Sequence, residues 1–155
     1  MTDCDTYRSS LGVLWLTGRS GTLTGLSFEE PDGDFKPGNF DAVKCWLDDY
    51  FQGNPREIDF PMECDGTPFQ KMIWNLLMDI PYGETRSYGQ LAKQAAQLLG
   101  KEKMSSQAVG QAVGRNPVAV IVPCHRVIGT DGKLTGYAYG VERKQWLLSH
   151  EQNRR

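Results

Sequence analysis

Thr67-Pro68-Phe69-Gln70-Lys71-Met72-Ile73-Trp74-Asn75-Leu76-Leu77, then Ile80-Pro81-Tyr82-Gly83, then Ser87-Tyr88-Gly89-Gln90 set out two helices and the break between them. Thr67 is a natural N-cap, and Pro68 stands at the first helical position, where a missing N–H costs nothing. Phe69, Met72, Ile73, Leu76 and Leu77 recur at helical spacing and predict one buried stripe. The helix stops at Ile80-Pro81-Tyr82-Gly83. Ser87 to Gln90 has the S-x-x-Q form of a capping box for a second helix ending near Gly100. A third helix is predicted from about Ser105 to Gly114. It sets a narrow apolar face (Ala108, Val109, Ala112, Val113) against small and polar positions (Ser106, Gln107, Gly110, Gln111, Gly114). Glycine inside a helix costs about 1 kcal/mol relative to alanine, so Gly110 asks for a reason. Close approach of another body is one, and close helix packing inside the protein is another; the pattern leaves both open. The second and third helices form a helix-turn-helix pair, with a longer connection than the tight turn of that motif, and its second helix is suited to lie against nucleic acid.

The chain then runs through Val118-Ala119-Val120-Ile121-Val122, which reads as a buried strand, into Pro123-Cys124-His125-Arg126-Val127. A thiol, an imidazole and a guanidinium in succession form a reactive cluster. From spacing alone Cys124 is a passive buried thiol, a metal ligand or a nucleophile. A nucleophile needs a base or a positive field, because a free cysteine is mostly protonated near neutral pH. His125 and Arg126 are the candidates. In an extended segment neighbouring side chains diverge, so His125 would reach Cys124 only through a turn or a bridging water. Glu151, near the end of a helix predicted from about Val141, can accept a hydrogen bond from His125 and stabilise its cation.

Upstream, Val13 to Leu16 and Leu23 to Phe28 predict a hairpin around Gly18 to Gly21. Asn39 is placed to cap a helix with apolar positions at Phe40, Val43, Trp46, Leu47, Tyr50 and Phe51, and a third strand is expected to include Ile58 and Phe60. The division is residues 1–65, a small α/β unit, followed by residues 66–155. Residues 1–65 carry 5 Lys or Arg against 13 Asp or Glu, and residues 66–155 carry 12 against 6, so a charge of -8 is joined to one of +6. The basic second part points to a polyanionic partner. With 39% hydrophobic and 23% charged residues among 155, disorder, collagen and coiled coil are excluded. No apolar stretch approaches the roughly 20 residues a bilayer demands, so no membrane role is expected. The opening MTDCDTYRSS is acidic where an export signal is basic, so a cytoplasmic protein with four free thiols is expected.

GTPFQ (66–70), IPYGETRSYGQLA (80–92), AVGQAVGRNP (108–117), IVPCHRVIG (121–129), GYAYG (136–140) and RKQWLLSHE (143–151) follow the order found in O6-alkylguanine-DNA alkyltransferases, and the chain resembles that family over residues 66–151. The resemblance implies an α+β protein. A small ribonuclease H-like domain would precede a mostly helical, winged-helix-like domain with a helix-turn-helix. It implies that Cys124 takes an alkyl group directly from O6 of guanine in duplex DNA, after the nucleotide is flipped into a pocket. Activity on O4-alkylthymine belongs to the same expectation. His125 would act through a water as base, with Glu151 completing the relay and Asn116 bracing the turn before the active-site segment. Tyr88 would donate a proton or hydrogen bond to the guanine ring, and Tyr137, Lys144 and Val127 would lie at the substrate. Ser106, Gln107, Ala108, Gly110, Gln111, Arg115 and Arg126 would meet DNA, the helix entering the minor groove.

The product thioether is a poor leaving group with no second nucleophile to remove it, so each molecule is expected to react once. Neither a cofactor nor a metal is expected, and Cys4, Cys45 and Cys64 have no histidine among them in the first part. A monomer is expected. Gln107 occupies a position where well-known family members carry arginine, which predicts a weaker wedge in the base stack or help from Arg115. The competing readings are a noncatalytic lesion-binding protein, against which Cys124 speaks, and a winged-helix redox regulator, whose reading helix would carry Arg or Asn.

Overall fold

The computed structural model describes residues 2–134 and 136–152, so the last three residues of the predicted second domain lie outside the described residues. The chain forms two compact units. The first holds residues 2–65 together with Pro117–Ala119, and the second holds Gly66–Asn116 with Val120–Gln152. Among the described residues no helix is long and apolar enough to cross a membrane.

The first unit is a four-stranded sheet in the order β3-β2-β1-β4, with one helix. Strands β1 (Thr2–Ser9), β2 (Gly12–Arg19) and β3 (Thr22–Ser27) form an antiparallel meander, and β4 (Phe35–Pro37) runs parallel to β1. The expected hairpin is β2–β3. It turns on Ser20 (φ 50°) and Gly21 (φ 84°), two residues with the positive φ that matches the strand twist. Alternation puts Leu14 and Leu16 of β2 in the core with no exposed surface, and the register shift at Thr17/Gly18 lets Leu23 and Leu26 of β3, three residues apart, join them. Helix α1 (Asp41–Phe51) buries Val43, Trp46, Leu47 and Tyr50. Asn39 does not occupy the N-cap, which is Phe40; its Oδ1 instead accepts the Asp41 N–H at 2.9 Å.

Two strands were not signalled by the sequence, and one expected strand is absent. β1 is polar and only partly buried, and β4 is three residues long and ends on a proline. The Ile58–Phe60 segment forms no strand; Phe60 packs edge-on against Trp46, 6.5 Å between ring centres. Pro61 has no N–H to donate, so pairing is confined to a lone bridge in which Leu23 donates to Pro61 O and Glu63 donates to Leu23 O.

In the second unit, α2 (Pro68–Met78), α3 (Tyr88–Leu99) and α4 (Ser106–Gly114) pack together, joined by α5 (Val141–Gln152) and by the short parallel pair β5 (Arg86–Ser87) and β6 (Val127–Ile128). Thr67 and Ser87 each complete a capping box, with Gln70 and Gln90, and Ser105 caps α4 by accepting the Ala108 N–H at 3.2 Å. Gly100 ends α3 in the left-handed conformation at φ 66°. The buried stripe of α2 is turned from the predicted one. Ile73, Trp74 and Leu77 are buried, while Phe69, Met72 and Leu76 are half-buried. Trp74 is drawn inward because its indole Nε1 donates to Ala112 O of α4 at 2.8 Å.

Candidate active site

Helix α4 ends in Arg115 and then Asn116, whose buried Nδ2 donates to Val122 O at 2.8 Å. That bond ties off the loop between them. Residues 118–122 are fully apolar and buried, yet they form turns and not the predicted strand. Val120 adopts φ 68°, which a β-branched residue tolerates only when its surroundings impose it. Cys124–Arg126 then makes a single 3-10 turn, with the Arg126 N–H donating to Pro123 O at 3.0 Å. The turn replaces the extended segment expected from the sequence. β6 follows at once and, by pairing with β5, brings this turn beside the start of α3, where Tyr88 sits.

Helix α5 supplies the opposing wall. Its buried positions are Lys144, Leu147, Leu148 and Glu151, spaced i, i+3, i+4, i+7, so a cation and an anion stand at the two ends of one buried stripe. Glu151 Oε2 lies 2.6 Å from His125 Nε2. The His125 ring is wholly buried, and its Nδ1 has no hydrogen-bond partner among the described residues. The Tyr137 hydroxyl is likewise buried and unpartnered. Lys144, also without exposed surface, has its Nζ 5.8 Å from the centre of the Tyr88 ring.

Arg126, expected at the DNA surface, is instead an interior residue. Its Nε donates to Glu151 Oε1 at 2.7 Å, Nη2 to Oε2 at 3.2 Å and Nη1 to Ile80 O at 2.7 Å, with the guanidinium 5.6 Å from the Tyr82 ring centre. Its charge is committed to Glu151. The sequence held half the signal, a helix stopping at Ile80-Pro81 with a carbonyl to satisfy; nothing local in it joins residue 126 to residue 151. Val127, expected at the substrate, has no exposed surface and packs within β6.

The site's charges follow from these contacts. Burial drives the Cys124 thiol above its ordinary range; the Asn116 hydrogen bond, the Lys144 charge and the N–H groups of Cys124 and His125 pull the other way without overcoming it. Burial also lowers the His125 pKa, against the upward pull of Glu151, and Arg126 and Lys144 lower it further. The resting pair is a neutral thiol beside a neutral imidazole. Burial works against ionising Glu151, but His125 and Arg126 outweigh it and bring the carboxyl down to about 2. Lys144 is lowered by burial to about 8, opposed by Cys124. Tyr88 and Tyr137 are raised, first by burial and then by Cys124, so both stay protonated as donors.

On α4, Ser106, Gln107, Gln111 and Gly114 are exposed, as is Arg115 at its end, while Ala108 and Gly110 are half-buried. Val109, Ala112 and Val113 face the core. A Cβ at Gly110 would meet only the Tyr88 ring, at an ordinary 3.8 Å, so internal packing does not require glycine there.

Fold and site together define a two-unit α+β protein whose helix-turn-helix unit holds a buried thiol beside a carboxylate-braced histidine. Residues 4–64 match the family described as 6-O-methylguanine DNA methyltransferase, ribonuclease-like domain, and residues 68–153 match its DNA binding domain. The methylated-DNA–protein-cysteine methyltransferase of Methanosarcina acetivorans is 53% identical over 153 residues, covering 94% of this chain and 95% of its own. That of Mycobacterium tuberculosis is 44% identical over 160 residues, covering 96% and 92%. The crystal structure of Mycobacterium tuberculosis OGT in complex with DNA superposes with a TM-score of 0.88 at 43% identity, covering 98% of this chain and 94% of that one. The chain belongs to the 6-O-methylguanine DNA methyltransferase family.

Proposed function

We propose that this protein repairs DNA by moving the alkyl group of O6-alkylguanine onto Cys124, once per molecule. The observation that carries the reading is the His125–Glu151 contact of 2.6 Å directly after Cys124, which leaves Nδ1 as the unpartnered ring nitrogen. A carboxylate at Nε2 fixes the tautomer with Nε2–H, so Nδ1 presents a lone pair. That nitrogen takes the thiol proton, through a water in the reading carried from the family. Sγ then attacks the alkyl carbon, the carbon–O6 bond breaks, and the electron pair leaves with the guanine. Lys144 favours the thiolate as it forms, and the protonated hydroxyls of Tyr88 and Tyr137 donate to the purine as charge develops on it.

The base reaches the thiol by leaving the stack, because a group at O6 inside a duplex has no line of approach for a buried sulfur. Helix α4 meets the minor groove with its small exposed face, and Gln107 stands where it enters the gap. Unlike arginine it brings an amide and no cation. A Gln107→Ala variant is expected to reduce extrusion of a fluorescent base analogue; unchanged extrusion removes Gln107 from that role. The whole reading is tested by incubating the protein with duplex carrying labelled O6-methylguanine. One label per molecule on Cys124 by mass spectrometry, none in Cys124→Ser, is the expected result. DNA left unaltered by excess protein overturns it.

A further inference from the structure

The two units use their cations differently. In the first, four of the five cations among the described residues, Arg19, Lys36, Lys44 and Arg56, are ion-paired with an aspartate; in the second, Arg86, Arg126 and Lys133 are paired with acids. There the side chains of Lys71, Lys93, Lys101 and Lys103 are exposed, and among the described residues none has an ion-pair or hydrogen-bond partner. Three of these four lie on α3 and the loop that follows it. Gln90, Lys93, Gln94 and Gln97 repeat at i, i+3, i+4, i+7 on the solvent side of α3, opposite the buried Leu91, Ala92, Ala95 and Ala96. With Arg86 they line an open groove of about 320 Å³. Past the exposed Leu98 and Leu99 and the capping Gly100, the chain runs into Lys101 and Lys103 on the loop that leads to α4, with Glu102 between them.

The groove's chemistry selects its occupant. Two cations and three amides line it, with no carboxylate among them, and such side chains bind phosphate and sugar oxygens, contacts that fix a protein on the duplex. Arg86 is held at one end by its own contacts, donating to Thr85 O at 2.8 Å and pairing with Glu84 at 3.4 Å. The exposed face of α4, by contrast, is Ser106, Gln107, Gln111 and Gly114, with a cation only after its last turn at Arg115. A face so nearly neutral fits into a groove but releases few counterions, and counterion release supplies most of the sequence-independent affinity for DNA. In a helix-turn-helix the first helix crosses the backbone while the second enters the groove.

We infer that the α3 groove and the Lys101–Lys103 loop form a track for the sugar–phosphate backbone of the duplex whose minor groove α4 meets, supplying the cations that α4 lacks. This rests on the DNA-repair reading above, but its test does not require transfer. Binding to an unmodified duplex is measured against salt for the full chain and for the triple variant Lys93→Gln, Lys101→Gln, Lys103→Gln, with equal thermal midpoints checking that the variant is folded. Three lost phosphate contacts reduce the slope of log affinity on log salt by roughly 2.7, so between about 50 and 200 mM salt the wild type loses roughly 40-fold more affinity than the variant. Lys71→Gln, which removes an exposed cation of α2 off the track, is expected to keep the wild-type slope. A wild-type slope in the triple variant overturns the inference, as does an equal change in Lys71→Gln. Failure of the wild type to take label from O6-methylguanine sinks the repair reading and leaves the salt result standing by itself.

Discussion

Glu151 divides its two oxygens among donors from three places in the chain: His125 Nε2, the Arg126 guanidinium and, at 3.4 Å, the Gly83 N–H. The pairing holds its carboxyl at about 2, against an ordinary 4.5, and this difference is stability present above pH 4.5 and lost as pH falls toward about 2. Its size is on the order of 3 kcal/mol. Burial lowers the His125 pKa, so that residue also gives up stability on acidification, starting from its ordinary 6.5. Denaturant midpoints followed from about pH 5 to about pH 3 are expected to fall more steeply in the wild type than in Glu151→Gln; parallel curves would mean that the carboxylate is not held by these contacts. Arg126→Ala leaves the carboxylate and the Ile80 carbonyl short of a buried partner, and removing one member of such a pair costs about 3 to 5 kcal/mol. A loss of that size in urea denaturation is expected, whereas a surface phosphate contact would leave stability nearly untouched. For the thiol the sign runs the other way. With Cys124 raised and His125 neutral, transfer by His125→Ala is expected to drop about 100-fold or more at pH 7, and the deficit to shrink as pH rises and the thiol ionises unaided. A deficit independent of pH would show His125 to be structural.

Helix α4 puts two demands on one residue. At Gly110 an added methyl would touch the Tyr88 ring at 3.8 Å and would remove the entropic cost of glycine, so Gly110→Ala is expected to stabilise the fold by about 0.5 to 1 kcal/mol. On the repair reading proposed above the same methyl stands on the side offered to DNA, and duplex affinity is expected to fall while the melting temperature rises. If both rise or hold, close approach of DNA is not why glycine is there. The element starts and stops around this helix were readable because they are local: Thr67 with Gln70, Ser87 with Gln90, Ser105 and Gly100 act through contacts within a turn. What failed to read was set from a distance. Strand β1, TDCDTYRS, has no clean alternation and is fixed by its register with β2. Residues 118–122 have the composition of a strand, but the Asn116–Val122 hydrogen bond folds them back on themselves. The buried stripe of α5 was hidden because its ends are charged, and those ends, Lys144 and Glu151, are the ones that serve the site. Cys124, His125 and Glu151 were legible as a cluster of reactive types. The inward turn of Arg126 was not, because charge alone argues for a surface.

Among the described residues the chain visits its first unit twice, and the second visit is short. Between Asn116 and Val120, both of the second unit, Pro117–Ala119 belong to the first. There the Leu26 N–H donates to Pro117 O and the Ala119 N–H donates to Leu26 O, each at 2.9 Å, and Val118 and Ala119 have no exposed surface. These residues add a lone parallel bridge, Leu26 with Val118, beside β3, and four residues separate the last of them from Cys124. No single cut therefore separates the units, and the loop holding the strained Val120 is anchored in a sheet at one end and by Asn116 at the other. Melting the sheet frees that anchor, so the two units are expected to unfold in one transition even though each has its own core. Leu16, wholly buried in β2, lies in the first unit only, and Leu16→Ala is expected to cost about 2 to 5 kcal/mol. Far-ultraviolet circular dichroism reports chiefly the second unit, which holds four of the five α-helices among the described residues, α2 to α5, and fluorescence of a variant retaining Trp46 alone reports the first. Leu16→Ala is expected to shift both midpoints equally and to quicken labelling of the otherwise buried Cys124 by a thiol reagent. A fluorescence midpoint that moves while the helical signal and the labelling rate stay at wild-type values would show that residues 117–119 do not couple the sheet to the site.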